Sequence, residues 1–291
     1  MAMRMESAAD SARVALGVFG RGGGSPAGGR RCFALSAVAL LLAAAWPLSA
    51  QWLHAAPGGG VPTVAPHIVR MAPHDPSAFT QGLLFRDSVL YESTGLVGFS
   101  SLRRVDPRSG LVKANAAVGG DYFTEGIAVL GGELVQLTWK NGTALRYDIP
   151  ALRRSARPPF RYKGEGWGLT SDAERFIMSN GSDTLFFRDK KFEVTRALPV
   201  TLNGRPLIYL NELEYARGSV YANVWYKDFI VEISAESGVV KRIIDCSELL
   251  RIERPPTVDN VLNGIAYDER LDEWYLTGKR WKNIFVVKMP K

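Results

Sequence analysis

The 291-residue chain is poor in cysteine and histidine, with two of the first and three of the second, and no stretch sustains a helical apolar period. Each shortage closes off a class of chemistry. Cys32 stands in an N-terminal segment and Cys246 is alone in the body, so the body holds neither a disulfide framework nor a cysteine metal site. A single cysteine of this kind serves as a small packing residue. His54, His67 and His74 all fall early in the chain, which argues against a Ser-His-Asp triad and a multi-histidine zinc centre. Proton transfer must then rest on carboxylates, amides, lysines or aromatics. The formal net charge is +7, but five arginines against Glu6 and Asp10 before residue 51 account for +3 of it. The rest is spread without a dense basic run, so nucleic acid is not an expected partner.

What the chain does have begins with a leader. Residues 1–29 are rich in Gly, Ala, Ser and Arg and lack periodicity. Arg30-Arg31 then precede a short apolar run that ends at Leu48-Ser49-Ala50, which is the pattern of an export signal. The paired arginines followed by Phe33 also suit twin-arginine export. Residues 32–50 come near the ~20 needed to cross a bilayer, so a membrane anchor is the alternative; Pro47 favours cleavage. The expected organisation is a leader over 1–50, a Pro/Gly/Ala linker over 51–66 and one folded domain over 67–291. The expected location is periplasmic or secreted, with no stable membrane association after cleavage.

From residue 67 onward, short β-branched and aromatic runs alternate with Gly, Asn, Asp and Ser clusters, the mark of strands and turns. Five segments repeat: Phe79-Thr80-Gln81-Gly82-Leu83, Phe123-Thr124-Glu125-Gly126-Ile127, Gly166-Trp167-Gly168-Leu169, Leu210-Asn211-Glu212-Leu213 and Leu262-Asn263-Gly264-Ile265. Their glycine-equivalent positions are 82, 126, 168, 212 and 264, and the long last step contains a polar insertion at 249–258 with one helical turn expected at its start. A period near 44 with about four strands per repeat predicts an all-β, five-bladed β-propeller of four-stranded antiparallel blades. The strand at 67–71 should complete the last blade beside residues 283–288, hiding the sheet edges.

In a propeller the first strand of each blade lines the central channel, so the position before each repeat glycine falls on one ring. That ring reads Gln81, Glu125, Trp167, Asn211 and Asn263. Buried polar groups without partners are costly, at roughly 1–3 kcal/mol each, so four polar members of five point to a binding site. A second ring falls fourteen residues later, at Trp139 and Trp225; Lys279 falls sixteen after Asn263, with a longer hairpin to absorb the difference. With Phe79 and Phe123, these positions predict an aromatic cup of Phe79, Phe123, Trp139, Trp167 and Trp225 over a floor of amides, one acid and one lysine. Glu165, Glu212 and Glu214 are expected to be structural or supporting groups.

His74-Asp75-Pro76, Ala78-Phe79-Thr80-Gln81-Gly82-Leu83, Tyr91-Glu92-Ser93-Thr94-Gly95, Leu137-Thr138-Trp139-Lys140, Gly164-Glu165-Gly166-Trp167, Asn223-Val224-Trp225 and Thr277-Gly278-Lys279-Arg280-Trp281 occur in this order. Together they resemble the plant- and bacterial-type glutaminyl-peptide cyclotransferases over residues 67–288. The resemblance implies a metal-independent acyltransferase with no cofactor, acting on peptides or proteins with N-terminal glutamine. Such an enzyme forms pyroglutamate and releases ammonia. The family's acid falls on Glu125, its amide and cationic contacts on Gln81, Asn211 and Lys279, and its aromatic pocket on the five cup residues. The chain is expected to act as a monomer. Two other readings remain: a non-catalytic propeller that binds exported peptides through the same cup, and a lactonase or glycosidase with a channel metal. The latter needs several convergent carboxylates, whereas the ring offers only Glu125.

Overall fold

A computed structural model describes residues 60–290. The expected leader and most of the expected linker lie outside the described residues. Blade 1 comprises Thr80–Arg86, Val89–Thr94, Ser101–Val105 and Val112–Ala117, paired in chain order. Blade 2 comprises Thr124–Leu130, Glu133–Thr138 and Thr143–Asp148, with an outer strand broken into Arg153–Arg154 and Phe160–Arg161. Two prolines, Pro158 and Pro159, stand in the break, where neither can donate a ladder hydrogen bond. Blade 3 comprises Leu169–Ser171, Phe176–Met178, Thr184–Arg188 and Val194–Pro199; blade 4 comprises Leu210–Ala216, Ser219–Val224, Phe229–Ser234 and Val240–Asp245. Blade 5 takes Leu262–Asp268, Glu273–Gly278 and Asn283–Lys288 from the end of the chain and His67–Pro73 from its start. The molecule is a five-bladed β-propeller closed by this antiparallel pairing.

The core is divided among the blade interfaces. Among the described residues five buried apolar clusters occur, one between each neighbouring pair of blades. Successive strand residues face opposite sides of a sheet, and the inner strand of blade 2 shows the result. Ile127 and Val129 pack toward blade 1, whereas Ala128 and Leu130 pack toward blade 3. Both faces of this strand are therefore covered, and all seven of its residues are buried.

Two segments extend the propeller. Thr63 and Val64, which the sequence leaves in the linker, pair in parallel with Ile243 and Ile244 on the outer edge of blade 4. The insertion between blades 4 and 5 carries a helix over Ser247–Glu253, so the helix begins two residues before the segment in which one turn is expected. The reason is apolar contact: Leu249 and neighbouring Cys246 are fully buried against blade 5 residues. The helix ends at Arg254, in the left-handed conformation with its N–H on the Leu250 carbonyl, and Glu253 accepts hydrogen bonds from the Lys282 N–H and the Asn283 side-chain amide.

The closure carries a buried ionic clasp. His74, just after the closing strand, contacts Glu92 of blade 1 through Nε2 at 2.8 Å and the Trp281 carbonyl through Nδ1 at 2.8 Å. Burial alone would lower the histidine's proton affinity, but the Glu92 carboxylate outweighs it and His74 lies above its ordinary value. Burial likewise pushes Glu92 upward, yet His74, Thr80 and Arg103 hold it below the ordinary carboxylate range. Histidine raised by folding stabilises fully below 6.5, its ordinary value, and loses that contribution as pH rises through the raised value. Glutamate lowered by folding stabilises fully above 4.5 and loses that contribution as pH falls through the lowered value. The clasp is thus complete between those two ordinary values. His74→Gln should cost roughly 3 kcal/mol near pH 6, since it leaves a buried carboxylate with only Arg103, 3.9 Å away, as a charged partner. Thermal melts across pH would check this: the gap between wild type and variant should narrow toward alkaline pH, and a pH-independent gap would contradict the charged clasp.

Candidate active site

The ring forms because inner strands of neighbouring blades converge at the repeat glycines. A Cβ at Gly126 would lie 2.4 Å from the Leu169 nitrogen, and one at Gly168 would lie 2.0 Å from the Asn211 carbonyl oxygen. The Gly126 N–H instead donates to the Trp167 carbonyl across the blade boundary at 2.7 Å. Sheet register shifts at this same level in blades 1, 2, 4 and 5, between Thr80 and Gly82, Thr124 and Ile127, Leu210 and Leu213, and Leu262 and Ile265. Bulges of this kind re-aim side chains beside functional sites, and here they act on Gln81, Glu125, Asn211 and Asn263.

All five ring residues are buried, with Trp167 the most accessible. Three of them are joined in a directed chain. The Asn263 amide nitrogen donates to the Thr80 carbonyl at 3.0 Å and to the Gln81 Oε1 at 3.2 Å. Gln81 Nε2 in turn donates to Glu125 Oε1 at 3.1 Å. Because a backbone carbonyl can only accept, Thr80 fixes the orientation of both amides and aims a donor at Glu125. In blade 4 the repeat glycine is replaced by Glu212, whose carboxylate accepts hydrogen bonds from the Leu83 N–H of blade 1 and the Ile265 N–H of blade 5. Glu212 therefore braces three blades across the channel. Glu214 takes the Tyr267 N–H of blade 5 in a similar way.

The second ring rests on a repeated backbone contact. Gly95, Trp139, Trp225 and Lys279 each donate their N–H to the carbonyl two residues before a ring position: Phe79, Phe123, Tyr209 and Val261. Lys279 keeps its place despite its later position because four residues, 269–272, join its hairpin, against two, 217–218, in blade 4. The insertion takes part as well: besides Val261, the Asn260 carbonyl accepts the Trp281 indole N–H at 2.8 Å.

The five predicted cup aromatics come together as an arc. Phe79 and Phe123 meet edge-to-face with centroids 6.1 Å apart, Phe123 and Trp139 at 5.6 Å, and Trp167 and Trp225 at 5.6 Å. Tyr209 extends the arc from Trp225 at 5.9 Å. The Lys279 ammonium lies 4.9 Å from the Phe79 ring centroid, and no ion pair within 4 Å joins it to an acid among the described residues. Burial draws Lys279 down to about 8, with the Glu125 and Asp259 charges opposing that fall. Glu125 moves the opposite way: burial pushes it well above the ordinary carboxylate range, Lys279 pulls it back and Glu165 adds to the rise. An acid and a cation are thus drawn toward each other in proton affinity inside an apolar cup.

One supporting feature escaped the sequence reading, and a second, foreseen only in general terms, acquires definite partners. Gly95 holds the second-ring position of blade 1, where a Cβ would lie 2.5 Å from the Phe123 ring; its place fourteen residues after Gln81 was the available signal. Glu165, expected to be a supporting group, accepts the indole N–H groups of both Trp139 and Trp167. No three His, Cys, Asp or Glu side chains converge as metal ligands among the described residues. Gly95→Ala should displace Phe123 and lower kcat/KM for the site's substrate by roughly tenfold or more, since misplacement by about 1 Å can cost ~100-fold. Unchanged kinetics would show that the Phe123 position is unimportant.

Comparisons with known proteins agree on one family. A family model described as glutamine cyclotransferase matches residues 37–289. A glutaminyl-peptide cyclotransferase of Arabidopsis thaliana is 40% identical over 228 residues, which span 77% of this chain and 71% of the relative. The crystal structure of Myxococcus xanthus glutaminyl cyclase superposes with a TM-score of 0.73 at 36% identity, covering 77% of this chain and 96% of that one.

Proposed function

Since the chain belongs to the glutamine cyclotransferase family, we propose that it converts the N-terminal glutamine of peptides or proteins to pyroglutamate, releasing ammonia without a metal or cofactor. The observation that carries this reading is the setting of Glu125. It is the one acid of the ring, buried, and held by Gln81. The reaction needs a neutral α-amine to attack its own γ-carboxamide carbon. A carbon–nitrogen bond then forms to close the ring, and the bond to the amide nitrogen breaks. The proton lost by the attacking nitrogen must reach the departing one, so that ammonia leaves and no net proton is consumed. One carboxyl group beside both nitrogens accepts the first proton and returns it to the second, which typically contributes ~10²–10⁴-fold. Raising Glu125 above the ordinary carboxylate range brings its proton affinity closer to that of the amine, which eases this exchange.

The neighbours divide the remaining work. Phe79, Phe123, Trp139, Trp167 and Trp225 fold the glutamine side chain back on its amine, and such orientation is among the larger contributions to ring closure. Lys279, charged and without a carboxylate partner within ion-pair distance among the described residues, stabilises the negative charge that grows on the carboxamide oxygen. Gln81 fixes the Glu125 carboxyl group, and Asn211 supplies a further buried amide from blade 4. The substrate is an exported peptide if residues 1–50 direct export, and the domain acts as a monomer.

A peptide-binding propeller without catalysis would use the same cup, and turnover separates the two. Glu125→Gln should preserve the fold while lowering ammonia release from Gln-initiated peptides by ~10²–10⁴-fold. Turnover like that of the wild type would remove Glu125 from this role.

A further inference from the structure

The reaction begins with a difficulty that Glu125 and Lys279 leave unsolved. A peptide α-amine titrates near ~8, so most substrate arrives as an ammonium ion. It must enter an apolar cup that already contains the Lys279 cation. Glu125 offers little opposing charge when it holds its proton, and burial favours that form. Glu212 and Glu214 are committed to backbone N–H groups deeper in the channel. Asp259, which faces Lys279, accepts the Tyr226 hydroxyl at 2.6 Å.

Glu165 stands where a counter-charge is needed. It comes from the segment that leads into the inner strand of blade 3, two residues before the ring residue Trp167. Its Oε2 accepts the Trp139 indole at 2.8 Å and the Trp167 indole at 2.9 Å. Its Oε1 accepts no hydrogen bond among the described residues, and the residue is partly exposed. The same side chain borders a cleft of about 580 Å³ whose other charged lining residues are Arg161, Lys163, Arg188 and Glu193. Glu165 thus stands between that cleft and two tryptophans of the cup, close enough to Glu125 for their charges to interact.

We propose that Glu165 receives the substrate's α-ammonium through Oε1 while its Oε2 holds the two indoles that form the adjoining wall. This assignment rests on the cyclotransferase reading and adds a specificity element to it: the site selects a free, charged N-terminus before chemistry begins. Two indole N–H groups on one oxygen hold the carboxylate beside the cup's tryptophans, so the charge needs no further ordering on binding. Delivery of the proton to Glu125 can follow once the amine sits between the two acids.

Glu165→Gln tests the charge separately from the wall, because an amide oxygen can still accept both indole N–H groups. Calorimetry would measure two unreactive probes: a norvaline-initiated peptide with a free ammonium and the corresponding pyroglutamyl peptide, which has none. The substitution should weaken the ammonium probe ~10-fold or more and leave the pyroglutamyl probe within about twofold, as expected for loss of one charged hydrogen bond. In turnover, KM for Gln peptides should rise with little change in kcat. Equal weakening of both probes would reduce Glu165 to a support for the tryptophans, and no change in either would dismiss it. If Glu165→Gln fails to fold, Glu165→Asp supplies the test: it keeps the charge, so its preference for the ammonium probe over the pyroglutamyl probe should exceed that of Glu165→Leu severalfold, and equality of the two overturns the proposal. Absence of pyroglutamate from wild-type protein would defeat the cyclotransferase reading, while the probe comparison would still report on Glu165.

Discussion

Inner strands that approach one another closely enough to exclude a Cβ determine the rest of the molecule's mouth. At Gly82, Gly126 and Gly168 the neighbouring backbone occupies the volume a side chain would need. At the same level the ladders of blades 1, 2, 4 and 5 shift register, and such bulges re-aim side chains. Those bulges place Gln81 and Glu125 side by side across a blade boundary. Blade 4 departs from the glycine rule and uses the extra atoms: Glu212 reaches across the channel and satisfies backbone donors of blades 1 and 5. The constraint that closes the ring also gives the site its polar floor.

Polarity is then passed from backbone to side chain. The Thr80 carbonyl orients Asn263, Asn263 orients Gln81 and Gln81 presents a donor to Glu125. Such a chain is costly when only partly satisfied and rigid when complete. Around it, the aromatic arc removes water from the acid and the lysine, shifting them in opposite directions. Burial thus serves two ends: it shapes the cup and it tunes the groups that titrate there.

The blade period, the closing strand and the ring positions were legible because they depend on sequence separation within one repeat. Trp139 and Trp225 fall fourteen residues after their ring partners, and the extra residues of one hairpin explain the later place of Lys279. Contacts between blades have no fixed separation, and these were missed. Nothing in the spacing links His74 to Glu92 and Trp281, or Glu165 to two indoles. Gly95 carried a signal, but an absent side chain is conspicuous only when its neighbour's ring is seen to need the space. The helix over Ser247–Glu253 was underestimated because its apolar contact is made largely by Leu249, which a polar composition conceals.

The central claim is that carboxyl, amide and ammonium groups alone complete the cyclisation, with Glu125 moving the proton. Ammonia release from a Gln-initiated dipeptide, measured on protein dialysed exhaustively against a chelator, tests it most directly. The account predicts steady release matched by pyroglutamate and unaffected by chelation. Release that disappears with the chelator and returns with added metal would contradict it.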